Sequence, residues 1–328
     1  MNDRVLTYVL FDGDWERVVG NRQNRVSHQL HEEEDVLPIY LEYLEGSVRS
    51  LAATCGENRP RIRIWLIQIE GRLRPRELRA RLTAAAPGFD LDIAIADPSF
   101  VRRFLDQAYA APKGHRTPNT LHEATFFLAL RDSPERFVFF ADTDLTFIAP
   151  DAFNRFVDSL AAAPGKLAAG FIEPAVRPWL GPHEPPGRER LHTVACAFDA
   201  EAMRREFPIL LFTEPTSLQI RSLALRDPAA VAHYCQNGRI DSLSLFTDWA
   251  RTPGLPDRIL SMNDRMAHYA ERGKLTIVCE DMVHCKYLWA GASDLLEEAL
   301  AAAGTPRTPL LEHILSKARQ TKGNGQRI

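Results

Sequence analysis

The stretch FVFFADTDLTFIAPDAF, residues 137–153, carries more structural information than any other part of this sequence. Its first five residues are apolar, which predicts a buried strand over residues 137–141 that ends directly before Asp142 and Asp144. Side chains alternate along an extended chain, so both carboxylates are expected on one side. Two carboxylates this close repel each other unless a cation lies between them, and hard divalent ions such as Mg²⁺ and Mn²⁺ take oxygen ligands. The spacing therefore predicts a metal–diphosphate site, with a turn of two solvated carboxylates as the alternative.

Three further strands are predicted upstream of this stretch. They cover residues 5–11, 61–71 and 89–97, and helical segments follow them, including an apolar helix between residues 31 and 56 and a helix that begins at Phe100. This alternation predicts an α/β fold with a parallel, doubly wound sheet. Ligands of such sheets bind beyond the carboxyl ends of the strands. Four aspartates fall at those predicted ends: Asp12, Asp97, Asp142 and Asp144.

The second half of the chain is less regular. Residues 173–190, EPAVRPWLGPHEPPGRER, are dense in Pro and Gly and predict a long loop of the kind that binds ligands. Strands are predicted at residues 191–200 and 274–281, and helices at 200–207, 227–236 and 241–250. Two C-terminal helices, residues 293–302 and 308–318, precede a polar tail that is predicted to be disordered.

Composition and charge exclude several classes of protein. Of 328 residues, 45% are hydrophobic and 25% are charged, as in an average globular protein. The 40 Lys and Arg residues nearly balance 43 Asp and Glu residues, and a net charge of -3 gives no basic footprint for nucleic acid or an anionic membrane. No apolar run reaches the roughly 20 residues of a membrane helix, and no signal-peptide pattern is expected at the N-terminus. Five scattered cysteines without a CxxC motif indicate a reducing compartment, so we expect a cytoplasmic protein.

Residues 137–153 resemble the Asp-x-Asp segment of the GT-A-fold glycosyltransferases, in which such a strand precedes a hydrophobic strand and a Pro-Asp-Ala-Phe-like helix start. Three strand–helix units followed by the motif strand also fit this group. Downstream, VCEDMVHCKYLWAG, residues 278–291, is loosely similar to the family-8-type ending His-x-x-Gly-x-x-Lys-Pro-Trp. That Gly is missing here, Lys286 follows His284 by two residues, and no Pro precedes Trp289. These departures concern the subfamily rather than the fold.

The resemblance implies a metal-dependent glycosyltransferase with a GT-A-like, Rossmann-type sheet flanked by helices and C-terminal helical additions. Asp144 would bind Mn²⁺ or Mg²⁺ directly, Asp142 would contact ribose or a second oxygen, and His284 would complete the metal shell. Asp241, which precedes a predicted helix, would be the catalytic residue, either as general base in an inverting enzyme or as a donor-sugar contact in a retaining one. The residues expected to contact a UDP- or GDP-sugar donor are Tyr8, Phe11, Asp12, Asp97, Thr143 and Lys286.

The same resemblance implies how the chain is organised. A glycosyltransferase domain would cover residues 1–292, with a nucleotide-sugar half at about 1–150 and an acceptor half at about 151–292. Helices over 293–320 and a tail over 321–328 would follow. The strand predicted at residues 191–200 would carry His192, Thr193 and Val194 where many such enzymes have Asn-Ser/Thr-Gly. The sugar, the acceptor, the stereochemical outcome and the oligomeric state are left open.

The same residues are also compatible with other classes of protein. ADTDLT fits the haloacid-dehalogenase phosphatase signature, with Asp142 as nucleophile and Asp144 as acid, although that strand usually comes first in its domain. A sugar-phosphate nucleotidyltransferase shares the three-strand opening but normally has a compact Gly-rich loop after the first strand, and a binding module without activity is a fourth class. Individual residues also have structural alternatives: a strand-end His284, a surface Lys286, helix caps at Asp97 and Asp241, and core positions for Tyr8 and Phe11.

Overall fold

A computed structural model describes residues 3–13, 37–102, 120–175, 188–206, 228–229, 243–271, 274–279 and 282–285. Several predicted features lie outside these residues. They include Asp241, Lys286, most of the loop at 173–190, most of the helix at 227–236, and both C-terminal helices with the tail.

The strands of the described chain follow in this order: β1 (Arg4–Phe11), β2 (Arg61–Ile67), β3 (Leu91–Ile95), β4 (Phe137–Ala141), β5 (Leu145–Phe147), β6 (Ala168–Glu173), β7 (Arg190–Asp199), β8 (Ile259–Ser261), β9 (Met266–Glu271), β10 (Lys274–Cys279) and β11 (Met282–Cys285). Seven of them form the larger sheet, in the order β3-β2-β1-β4-β7-β6-β8. The other four form a smaller antiparallel sheet, in the order β5-β11-β10-β9.

One strand of the larger sheet runs against the others. β1 pairs in parallel with β2 and β4, β2 with β3, and β6 with β8, whereas β7 is antiparallel to both β4 and β6. The carboxyl ends of the remaining six strands therefore lie at one edge, here called the carboxyl edge, and their starts lie at the amino edge. In parallel sheets of this kind the carboxyl edge is where ligands bind.

Helices cover both faces of the larger sheet. They are α1 (Leu37–Thr54), α2 (Pro75–Ala85), α3 (Thr120–Asp132), α4 (Ala152–Ala161), α5 (Ala200–Glu206) and α6 (Ser244–Ala250). Apolar residues of α1, α2 and α4 join one buried cluster, and those of α3, α5 and α6 join another. The predicted Rossmann-type sheet flanked by helices is thus confirmed.

Hydrophobic spacing explains where the helices pack. In α1, Leu37, Leu41, Leu44, Val48 and Leu51 are all buried, as their recurrence every three or four residues predicts. Within the described part of the chain, no helix is long and apolar enough to cross a lipid bilayer.

The predicted strand bounds are right at the motif and less accurate elsewhere. β4 covers Phe137–Ala141, as predicted, whereas β2 and β3 are shorter than predicted, and β6, β8 and β9 were not predicted. The strand predicted at residues 274–281 is confirmed as β10, although β10 ends at Cys279, and β11, which forms a hairpin with it, was not predicted. Two consecutive acidic residues, 280 and 281, interrupt the apolar run between these strands. The helix predicted at 241–250 begins at Ser244 in the structure.

Candidate active site

The two motif aspartates lie in a turn at the carboxyl edge. β4 is buried along its whole length, and the N–H of Asp142 continues its ladder by donating to the Val194 carbonyl of β7 at 3.0 Å. The Leu145 N–H then donates to the Asp142 carbonyl at 3.0 Å, which closes a four-residue turn. Asp142, Thr143 and Asp144 are all half-buried. A tight turn after a buried strand, and not the alternation of an extended chain, therefore brings both aspartates to this edge.

The smaller sheet brings His284 next to this turn. β11 pairs antiparallel with β5, and the register places His284 opposite Leu145, the residue directly after Asp144. β11 also pairs with β10, so His284 lies on a strand with a neighbour on each side. The backbone thus brings together the three residues that the sequence predicted as metal ligands.

The donor set at this edge fits a hard cation. Asp142 and Asp144 supply carboxylate oxygens, which Mg²⁺ and Mn²⁺ prefer. Among the side chains that the structure describes, no three His, Cys, Asp or Glu residues converge as a complete metal site. Among the described residues, Asp142 and Asp144 could therefore bind a metal, and the backbone of His284 lies on the neighbouring strand.

Asp12 follows β1 at the same edge and is fully buried. Its Oδ1 accepts the N–H groups of Ile69 at 2.6 Å and Glu70 at 3.0 Å, which fixes the loop after β2. Its Oδ2 is buried and has no hydrogen-bond partner in the described chain. The Glu70 side chain packs against Gly13, where a Cβ would lie 2.7 Å from Cγ of Glu70. Within the described chain, Asp12 thus has one buried oxygen without a hydrogen-bond donor, which is energetically unfavourable.

Tyr8 is placed in the core beneath this edge. Its ring is fully buried, and its hydroxyl and the Ser47 Oγ of α1 are 2.7 Å apart. Burial raises the pKa of the Tyr8 hydroxyl well above its usual value, although the bond with Ser47 opposes this shift. On the same helix, the Ser50 Oγ accepts the Phe147 N–H of β5 at 2.9 Å. Helix α1 therefore connects the middle of β1 to the strand that follows the Asp-x-Asp turn.

Phe11 and Asp97 lie at the ends of β1 and β3. Phe11 is half-buried, with its ring centroid 6.3 Å from that of His122 on α3. Asp97 is exposed, and its Oδ1 accepts the N–H of Ser99 at 2.7 Å. Its carbonyl accepts the Val101 N–H at 3.0 Å, so Asp97 caps the helical residues 98–102. This arrangement matches the structural alternative for Asp97.

The first half of β7 borders the motif turn, because the Val194 carbonyl accepts the Asp142 N–H. His192 Nδ1 accepts the Val194 N–H at 3.1 Å, and Thr193 is buried. Farther along β7, burial raises the pKa of the Cys196 thiol well above its usual value, and the nearby Asp142 carboxylate adds to this shift. Cys196 is therefore a protonated core thiol and not a nucleophile.

One residue near the site gave no signal in the sequence. Glu123 of α3 is buried, and its Oε1 accepts the Leu243 N–H at 2.9 Å. Leu243 has a positive φ of 63° and directly precedes α6. Glu123 thus fixes the chain two residues after Asp241. A glutamate inside an amphipathic helix pattern has no sequence feature that would reveal such a partner 120 residues away.

Neither family models nor curated proteins match this chain. Solved structures do, among them mouse xyloside xylosyltransferase 1, with 13% identity, a TM-score of 0.44 and coverage of 79% of this chain and 84% of that one. The galactosyltransferase LgtC, in complex with donor and acceptor sugar analogs, has 12% identity, a TM-score of 0.45 and coverage of 80% and 74%. The glycosyltransferase GlyE of Streptococcus pneumoniae has 12% identity, a TM-score of 0.39 and coverage of 80% and 45%. These similarities concern the general architecture and define no residue of the site.

Proposed function

We propose that this protein is a metal-dependent glycosyltransferase that moves a sugar from a UDP- or GDP-sugar to an acceptor. The observation that carries the proposal is the half-buried turn of Asp142, Thr143 and Asp144, which follows the buried strand β4 at the carboxyl edge. In sheets of this type, ligands bind at that edge. Paired aspartates beside a histidine position favour a metal that holds a diphosphate.

Asp142, Asp144 and His284 are the residues that would hold Mn²⁺ or Mg²⁺. When bound, such a metal neutralises the negative charge that develops on the departing nucleoside diphosphate. Lys286, two residues beyond His284, would add a second positive charge to the leaving group. Thr143, between the two aspartates, would contact the nucleotide sugar through its hydroxyl.

Asp12 would bind the base of the nucleotide. Its buried, unsatisfied Oδ2 is an acceptor, and both uracil and guanine carry ring N–H donors that suit it. Phe11, half-buried beside His122, would contact the same nucleoside. Tyr8 and Asp97 stay predictions as nucleoside contacts, since the Tyr8 hydroxyl bonds Ser47 and the Asp97 carboxylate caps a helix.

Asp241 is the proposed catalytic residue on the acceptor side. Two residues later, the Leu243 N–H donates to Glu123 and holds that part of the chain against α3. We therefore propose Glu123 as a residue that positions Asp241. The nucleotide-sugar half would lie at about 1–150 and the acceptor half at about 151–292, and the cytoplasmic location expected from composition stays a prediction.

The proposal is tested by thermal unfolding of the full chain with UDP, GDP or CDP, each with Mn²⁺ and with a chelator. We expect UDP or GDP to raise the melting temperature only when Mn²⁺ is present, by an amount that grows with ligand concentration. CDP serves as the matched control, because cytosine lacks the ring N–H donor. No shift with any nucleotide, together with hydrolysis of para-nitrophenyl phosphate, would instead support the phosphatase alternative.

A further inference from the structure

Two buried serines lie one turn apart on helix α1, whose buried face is otherwise mainly apolar. Ser47 and Ser50 are only 2% and 1% exposed. The Ser47 hydroxyl bonds Tyr8 in β1, whereas the Ser50 hydroxyl bonds the backbone of β5, the strand that directly follows the Asp-x-Asp turn. A buried hydroxyl is stable only with hydrogen-bond partners, so each serine is tied to the strand that it contacts.

The Ser50 hydroxyl is fixed by two buried hydrogen bonds. Its proton is donated to the Ser47 carbonyl, at an oxygen–oxygen distance of 2.7 Å. Its Oγ accepts the Phe147 N–H of β5 at 2.9 Å. Because the proton is directed to the helix backbone, the lone pairs of Oγ are available to β5. Helix α1 therefore orients this acceptor toward the strand.

The position of β5 in the smaller sheet explains why it needs such an acceptor. Among the described strands, β5 is at one end of this sheet, with β11 on one side and α1 on the other. A strand at the end of a sheet has N–H groups that no neighbouring strand satisfies. Phe147 is fully buried, where an N–H without an acceptor would be costly. Ser50 thus supplies the acceptor that a further strand would have supplied.

β5 connects both parts of the proposed metal site. Its first residue, Leu145, directly follows Asp144 and donates its N–H to the Asp142 carbonyl at 3.0 Å. The same residue lies opposite His284 in the pairing of β5 with β11. The beginning of the turn is fixed separately, by a hydrogen bond to β7. The placement of Asp144 relative to the backbone of His284 therefore depends on β5, which Ser50 holds from its outer side.

We propose that Ser50 is a positioning residue for the divalent metal, and that it acts through β5 on Asp144 and His284. The inference rests on the proposed function, which assigns the metal to these residues. Without the Ser50 acceptor, the Phe147 N–H would be buried and unpaired, and β5 would have to move to satisfy it. Metal ligands bind well only when they are held close to the required geometry. Loss of this one hydroxyl should therefore weaken metal binding, although Ser50 itself contacts no ligand.

Two substitutions at Ser50 and one control test this role in the full chain. Ser50→Ala removes the acceptor, and Ser50→Cys keeps nearly the same size but offers a sulfur that accepts hydrogen bonds weakly. Ser133→Ala is the matched control, because Ser133 is 4% exposed and its hydroxyl also makes two buried hydrogen bonds, with Glu135 and Arg63. The melting temperature is measured with UDP or GDP at increasing Mn²⁺, and hydrogen exchange is measured in peptides that cover residues 142–148.

We expect both Ser50 variants to need about tenfold more Mn²⁺ than the wild type for half of the nucleotide-dependent thermal shift. Amides of residues 142–148 should also exchange faster in both. Ser133→Ala should lower the melting temperature without ligand, but it should need as much Mn²⁺ as the wild type and leave exchange at residues 142–148 unchanged. The requirement for Mn²⁺ thus separates a positioning role from a general loss of stability.

Three results would overturn the proposed role of Ser50. The first is an equal requirement for Mn²⁺ in Ser50→Ala and the wild type, and the second is an equal increase in Ser50→Ala and Ser133→Ala. The third is wild-type behaviour of Ser50→Cys, since the size of the side chain would then matter and not the acceptor. A wild type without any shift by UDP or GDP contradicts the proposed function instead. In that case, unchanged exchange at residues 142–148 in Ser50→Ala would still contradict the hold of Ser50 on β5.

Discussion

Two groups of acidic side chains, which lie at opposite edges of the larger sheet, are held in different ways. At the amino edge, Arg63 donates to Asp92 at 2.7 Å and to Glu135 at 3.1 Å, and Arg61 also donates to Glu135 at 2.8 Å. The side chains of Arg63 and Glu135 are 9% and 5% exposed, so this is a nearly buried ion-pair network. Each carboxylate there is matched by an arginine of the same chain.

At the carboxyl edge, Asp12 is held by backbone groups instead. The N–H groups of Ile69 and Glu70 occupy its Oδ1, and within the described chain its Oδ2 has no donor. A buried acceptor oxygen without a hydrogen-bond donor is energetically unfavourable. The difference is that the carboxylate of Glu135 is paired within the folded chain, whereas the described residues leave one oxygen of Asp12 without a donor, which is the oxygen that the proposed function assigns to a ligand.

The largest effect expected from this comparison is on stability at the amino edge. Glu135→Ala leaves Arg63 and Arg61 without their shared partner and should lower the free energy of unfolding by about 3 kcal/mol or more. Urea denaturation measures this change. Asp132→Ala is the control, because the Asp132 side chain is 42% exposed and its surface pair with Arg131 is worth about 1 kcal/mol or less. Equal losses in both variants would contradict the assignment of a structural network.

A smaller effect on stability, with a larger effect on binding, is expected at the carboxyl edge. Asp12→Asn can keep an oxygen for the Ile69 and Glu70 N–H groups but replaces the buried acceptor by an amide donor. We expect the free energy of unfolding to change by about 1 kcal/mol and the affinity for UDP or GDP to fall about tenfold or more. Calorimetric titration with Mn²⁺ present measures the affinity.

Asp12→Ala provides the matched comparison for that prediction. It removes both backbone hydrogen bonds of Oδ1, so it should be less stable than Asp12→Asn while binding nucleotide equally poorly. If Asp12→Asn bound nucleotide like the wild type, Asp12 would be only a clamp for the loop after β2.

Much of the fold could be predicted from the sequence because its signals are local. Five apolar residues before an aspartate define β4, and the leucine spacing defines α1. The position of Asp142 and Asp144 at a strand end followed from the same pattern. The sequence also predicted that ligands bind at the carboxyl edge, because parallel strands end at the same edge of a sheet.

The rest depends on contacts that are distant in sequence. Arg63 and Glu135 are 72 residues apart, and Glu123 and Leu243 are 120 apart, so no local pattern reveals either pair. The hairpin of β10 and β11 was missed because its turn lacks the Gly or Pro that normally marks one.

Binding of UDP and GDP to Asp144→Asn, measured by calorimetry with Mn²⁺, tests the central claim most directly. Asn keeps the size of the side chain and removes the charge that would hold the metal. We predict that nucleotide binding is lost in Asp144→Asn and retained in Asp158→Asn, an exposed aspartate on α4, with both variants unfolding at the temperature of the wild type without ligand. Equal, metal-independent binding of nucleotide by Asp144→Asn and the wild type would contradict the proposed site.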